Sequence, residues 1–114
     1  MTWPLIDFLL KEEDFAHVIR THEITVQVAR TPGLIKLLND LHGSHSLRQD
    51  MVRDPQAILK ERGMTVPRNG RVTFRHFKNG GWELSVTITE GGYTFINGFS
   101  TEAGFFTTHH PEFA

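Results

Sequence analysis

Apolar positions along this chain change their spacing near Pro67. Upstream they recur every three or four residues, and downstream every second residue. Leu5, Ile6, Leu9 and Leu10, then Phe15, Ala16 and Ile19, fall on one side of a helix that Thr2 caps and Pro4 opens. Glu12, Glu13 and Asp14 take the other side. From Glu23 the spacing is ambiguous. Ile24, Val26 and Val28 alternate with polar residues as in a strand, and a short helix ending before Pro32 fits nearly as well. Thr31-Pro32 offers a cap followed by proline at the first helical position, and Leu34, Ile35, Leu37, Leu38 and Leu41 then give an amphipathic helix ending near Gly43. Ser44 or Ser46 caps a further helix with Leu47, Met51 and Val52 inward.

The best-specified element begins at Asp54. Asp54 is an N-cap, and Pro55 stands at the first helical position, where its missing N–H and restricted φ cost nothing. Ala57, Ile58 and Leu59 form the apolar stripe, Lys60 and Arg62 suit the negative end of the helix dipole, and Gly63 takes the left-handed closing position. Val66-Pro67 then forces extended backbone, and Asn69-Gly70 is a turn leading into Val72 and Phe74. Val72 to Phe77, Trp82 to Thr89 and Tyr93 to Asn97 read as strands separated by Asn79-Gly80-Gly81 and Glu90-Gly91-Gly92. Trp82, Leu84, Val86 and Ile88 alternate with Glu83, Ser85, Thr87 and Thr89, which marks the central strand of an antiparallel meander with one face to be covered.

Residues 1–66 are the natural cover for residues 67–114. The expectation is one α+β domain over residues 1–114, with short N-terminal helices packed on a C-terminal antiparallel β-meander. Phe74, Phe77, Trp82, Tyr93, Phe95 and Phe99 are read as core. The stretch from Tyr93 to Ala114 is too aromatic for a solvated tail, and is expected to supply at least one strand beside Trp82 to Ile88.

Within Ser46 to Val72, an aspartate-proline pair is followed by a leucine four residues after the proline, a glycine four further on, then a hydrophobic-proline pair and a valine. These residues are Asp54, Pro55, Leu59, Gly63, Val66, Pro67 and Val72, with Leu47 and Val52 on the preceding helix. The pattern resembles the nitrile-hydratase-α-like leader peptides of ribosomally made, post-translationally modified natural products. The resemblance implies a non-enzymatic precursor, or a recognition protein derived from one, that docks on a peptide-modifying enzyme. Asp54 to Val72 would then be the docking segment, with the strand after Pro67 adding to an exposed sheet edge of that enzyme. It also implies a cleavage point after Gly91-Gly92, releasing Tyr93 to Ala114 with the hydroxyls of Thr94, Ser100, Thr101, Thr107 and Thr108 open to modification. Read without the resemblance, the same glycines are a hairpin turn, because Tyr93, Phe95 and Ile96 continue the strand pattern past them.

Composition narrows the functional classes. Twelve Lys and Arg against thirteen Asp and Glu leave a formal net charge of −1, so no overall field favours nucleic acid or an anionic membrane. The absence of cysteine removes disulfide and thiolate chemistry and is compatible with a reducing compartment. The N-terminal apolar run has acidic flanks and reads as neither signal peptide nor membrane span, so a cytoplasmic location is expected.

Seven histidines, His17, His22, His42, His45, His76, His109 and His110, make the charge sensitive to pH. His42 and His45, with His109 and His110, are candidate metal ligands, yet zinc usually takes three or four protein ligands and no signature joins these four. The serines lack a nucleophile context, and the glycine pairs fall between strands rather than before a helix. The expectation is therefore no cofactor and no catalytic residue, with a protein as partner: a modification enzyme or a second copy of this chain. A stand-alone interaction or oligomerisation domain, its apolar tail against another subunit, is the alternative reading. A small metal- or ligand-binding enzyme is the third.

Overall fold

The computed structural model describes residues 12–111, and the helix positions read from Thr2 to Leu10 lie outside them. Among the described residues, four helices precede four strands. The helices are α1 (Glu12–Ala29), α2 (Leu34–Gly43), α3 (His45–Arg53) and α4 (Pro55–Glu61). The strands are β1 (Gly70–His76), β2 (Trp82–Glu90), β3 (Tyr93–Ser100) and β4 (Gly104–Pro111). They form one antiparallel sheet in the order β1-β2-β3-β4, so the expected α+β arrangement of helices and meander is the one adopted.

Helix α1 resolves the ambiguity at Glu23 in favour of helix. Thr21 and Thr25, β-branched residues that favour strands, donate their hydroxyls to the carbonyls of His17 and Thr21 at 2.7 and 2.9 Å and so fit inside a helix. Ile24 is 1% exposed and Val28, one turn on, packs against the core, which leaves Val26 off that face. The period-two pattern was genuine in sequence, but a helix one turn per step buries the same isoleucine.

Helix α2 does not start as expected either. Thr31 is no cap, because its hydroxyl donates back to the Gln27 carbonyl at 2.9 Å. The residue before Leu34 is Gly33, left-handed at φ 83°, and no side chain caps the helix. A left-handed turn after Pro32 calls for glycine, and the sequence supplies it there. At the other end of α2, Arg48 of α3 donates to the carbonyls of Leu41 and His42 at 2.6 and 3.2 Å, satisfying acceptors that a helix terminus leaves open.

Ser44 caps α3 as read, accepting from the Leu47 N–H at 3.1 Å. Met51 is fully buried, but Val52 is 53% exposed and so is Ile35 of α2 at 54%. Both were expected inward. Ile35 falls outside the stripe of Leu34, Leu37, Leu38 and Leu41 that α2 buries, and Val52 lies off the face on which α3 buries Met51, so both face out.

Strand pairing sorts the sheet into two faces. Val72 is opposite Val86, Phe74 opposite Leu84, and His76 opposite Trp82; Leu84 is in turn opposite Phe99, and Ile88 opposite Phe95. These residues share the inner face, where Leu37, Leu38, Leu41, Met51 and Leu59 of α2–α4 meet Val72, Phe74, Trp82 and Leu84 in one core. Aromatic rings run across it, Phe74 to Trp82 at 5.8 Å, Trp82 to Phe99 at 5.6 Å and Phe99 to Phe105 at 5.3 Å. Helix α1 covers the far half of the same face, its Thr21 and Thr25 hydroxyls meeting His109 and Thr107 of β4. The outer face carries Thr73, Ser85, Thr87, Gly98 and Thr108.

The chain after Gly92 therefore supplies two strands, and β3 has a neighbour on each side. Amides of Thr94 to Asn97 are expected to exchange with solvent as slowly as those of β2, since opening them requires breaking ladders on both flanks. Rapid exchange there, measured on the intact protein, would show that the segment is not held in the sheet.

Candidate functional site

The segment from Asp54 to Val72 forms α4 and the connection that leads into an edge strand. Asp54, at φ −156° and ψ 84°, accepts from the Ala57 N–H at 3.1 Å, and Pro55 is at the start of the helix. Gly63 is left-handed at φ 72°, and the Gly63 and Met64 N–H groups return to the Lys60 and Leu59 carbonyls at 3.0 and 2.9 Å. The Gly70 N–H donates to the Pro67 carbonyl at 2.8 Å, closing the turn before β1. Asn69 donates its side-chain amide to the Thr89 carbonyl at 3.0 Å, tying that turn to the end of β2.

These local bonds explain why the segment folds as it does, and burial shows what it presents. Leu59 is 4% exposed and Val72 is 7% exposed, both inside the core. Pro55 and Val66 are half-buried, whereas Asp54, Gly63 and Pro67 are exposed. Of the seven residues of the motif, two thus hold the segment in place from beneath and three offer surface. Arg68 and Arg71 are exposed at the same end of β1. In the sheet order β1 is terminal, so among the described residues it has a ladder partner on one side only.

Arg62 Nη1 reaches Asp40 of α2 at 2.9 Å, and Lys36 reaches the same carboxyl at 3.2 Å. The hydrogen bond from Arg62, then that from Lys36, holds the Asp40 carboxyl below its usual range. This pair locks the end of α4 against α2. Replacing Asp54 by Ala is expected to cost about 1 kcal/mol through loss of the cap. Chemical denaturation checks this, with Gly or Ser at the same position recovering most of the loss.

Gly91 and Gly92 form the two-residue turn of the β2–β3 hairpin, at φ 59° and 81°, between the paired Glu90 and Tyr93. They are exposed. Beside them Arg20 of α1 binds Glu90 with Nε at 2.6 Å and Nη2 at 3.4 Å, an ion pair that raises the pKa of the guanidinium.

Four of the histidines fall in two places. His17 stacks on Tyr93 with ring centres 4.5 Å apart, and His109 lies tilted 4.8 Å from His17. His42 lies in the last turn of α2 and His45 begins α3, with the break at Ser44 between them; His45 pairs with Gln49 at 3.1 Å. Among the described residues no three His, Asp or Glu side chains converge as metal ligands would. The His17–Tyr93–His109 stack joins residues too far apart in the chain for any spacing to have signalled it.

Fold and surface together define a small α+β domain whose helices cover one face of a four-stranded antiparallel meander. No family model, no curated protein and no solved structure matches this chain. Among the described residues no helix is long and apolar enough to cross a membrane.

Proposed function

We propose that this chain is a non-enzymatic recognition domain that docks on a peptide-modifying enzyme through the segment Asp54 to Val72. The observation that carries the reading is the position of β1. Among the described residues it is an edge strand, reached through the Pro67 turn, with no strand paired along one side. Such an edge can be extended by a strand of a partner, whose backbone supplies the missing hydrogen bonds. Exposed Arg68 and Arg71 favour a partner with acidic residues beside that strand.

The resemblance to nitrile-hydratase-α-like leaders points to the same segment. Of the two forms of that reading, the recognition domain is preferred to a precursor that releases Tyr93 to Ala114. A cut after Gly92 would fall inside a hairpin and separate β2 from the strand paired with it along its whole length.

The test is hydrogen exchange on the full chain, alone and with any peptide-modifying enzyme that its neighbouring genes encode. Slowed exchange over Gly70 to His76 and the α4–β1 connection is the expected result. Slowing confined to β4, and rising with the concentration of the chain itself, would instead support self-association through the opposite edge, where Phe105 is 43% exposed. The lack of any such enzyme among neighbouring genes would count against the proposal.

A further inference from the structure

Helix α1 is two-sided. Toward the sheet it buries Ile24 and packs Val28 against the core. On the same side Arg20 meets Glu90 of β2, His17 stacks on Tyr93 of β3, and Thr21 and Thr25 meet His109 and Thr107 of β4. Roughly half a turn around the helix a second apolar set faces away from the sheet. Ile19 is 52% exposed there and Val18, at its flank, 47%. His22 and Ala29 are exposed on that side too, and Val26 is half-buried.

Spacing separates this set from scattered surface residues. Phe15, Ile19, His22, Val26 and Ala29 follow one another at intervals of four, three, four and three residues. That is a repeat of 3.5 residues, which keeps a stripe turned toward a second helix along its whole length. Packing on a sheet does not call for it. In the sequence the repeat continues upstream through Glu12 to Phe8 and Leu5.

We infer that α1 pairs with α1 of a second copy of this chain, antiparallel, through the seam from Phe15 to Ala29. The seam is its own complement, since knobs at this spacing fit the holes that the same spacing leaves on an equivalent helix. Charge sets the direction. The first turn of α1 holds Glu12, Glu13 and Asp14, and exposed Arg30 follows its last residue. Antiparallel pairing with Ile19 of each copy level with His22 of the other brings the acidic start of one helix beside Arg30 of its partner, and it aligns the two helix dipoles favourably. Parallel pairing would gather both acidic clusters at one end. The inference stands apart from the docking proposal: α1 lies over β3 and β4, so the dimer leaves the β1 edge of each copy free.

A seam along one helix of about 27 Å is short, so the association is expected to be weaker than about 1 μM. Sedimentation equilibrium of the full chain from roughly 10 μM to 1 mM should show the mass rising from 13.0 kDa toward twice that value. Ile19→Lys, an exposed position that the fold tolerates, should weaken dimerisation at least about tenfold, because it puts a charge into the seam. Phe105→Lys on the β4 edge should leave it unchanged. Direction is read separately. The chain has no cysteine, so Ala29→Cys carries a single spin label. Mixed with isotope-labelled chain, it should broaden amides in the first turn of α1. A mass constant at 13.0 kDa, an Ile19→Lys protein that dimerises as the parent does, or a dimer lost in Phe105→Lys would each overturn the inference. Broadening centred on Ala29 instead would overturn the antiparallel arrangement.

Discussion

Gly98→Ala is expected to destabilise the protein by about 3 kcal/mol, at the upper end of what overpacking a close-packed site costs. Gly98 lies on β3, buried, opposite Ser85 of β2 on one side and Phe106 of β4 on the other. A Cβ at this position would run into the Leu84 carbonyl and come within 2.7 Å of the Ser85 Cα. These are backbone atoms of the neighbouring strand, so no rotamer change relieves the contact. β2 and β3 would have to separate, and this ladder connects the two halves of the sheet. The turn glycines are a useful contrast. At Gly91 a Cβ meets nothing within 4 Å, and only its φ of 59° opposes substitution. Ala there should cost about 1–2 kcal/mol, the penalty of left-handed backbone for an L-residue. Urea unfolding of both variants checks the order. A Gly98→Ala protein within 1 kcal/mol of the parent would mean that the strands can spread without loss.

Leu59→Ala is the second large effect, a loss of about 2–5 kcal/mol. Leu59 is 4% exposed and belongs to the cluster in which α2, α3 and α4 meet β1 and β2. It also lines a cavity of about 150 Å³ beneath α1. Truncation therefore removes buried methyl groups and enlarges a void that already exists, which leaves the surrounding side chains few neighbours onto which to collapse. Equilibrium denaturation measures the loss. A value under 1 kcal/mol would identify α4 as a peripheral helix rather than part of the core. The same substitution should weaken partner docking only in proportion to the unfolded fraction, because Leu59 does not reach the surface. A loss of docking beyond that proportion would mean that α4 shifts when Leu59 is removed.

The candidate docking segment was legible because its signals are local. Asp54, Pro55 and Gly63 each act on backbone within a few residues, through a cap, a preset φ and a left-handed turn, and the bonds found are those such residues make. What the segment exposes was not legible. Leu59 and Val72 carry the motif, yet both point into the core, and only packing of α4 on the sheet reveals it. Asn97 shows the same limit more sharply. In sequence it closes a strand-like run next to a glycine, as many turn residues do. Its burial follows from β4 pairing on one side, β2 on the other and α1 above.

The sequence by itself determined where backbone direction changes and which positions of each strand share a face. Caps, prolines, glycine pairs and alternation act over one to four residues, so they are readable without knowing what lies across the core. Tertiary structure decided the state of Glu23 to Ala29, where alternation suggested a strand and contact with β3 and β4 made a helix. It decided that Val52 and Ile35 face outward and that Thr31 bonds backward instead of capping α2. It alone brought His17, Tyr93 and His109 together, and buried the Asn97 amide within the sheet. The physical reason is common to all of these: burial and hydrogen-bond satisfaction depend on atoms distant in the chain, and they outweigh local preferences of a few tenths of a kcal/mol per residue.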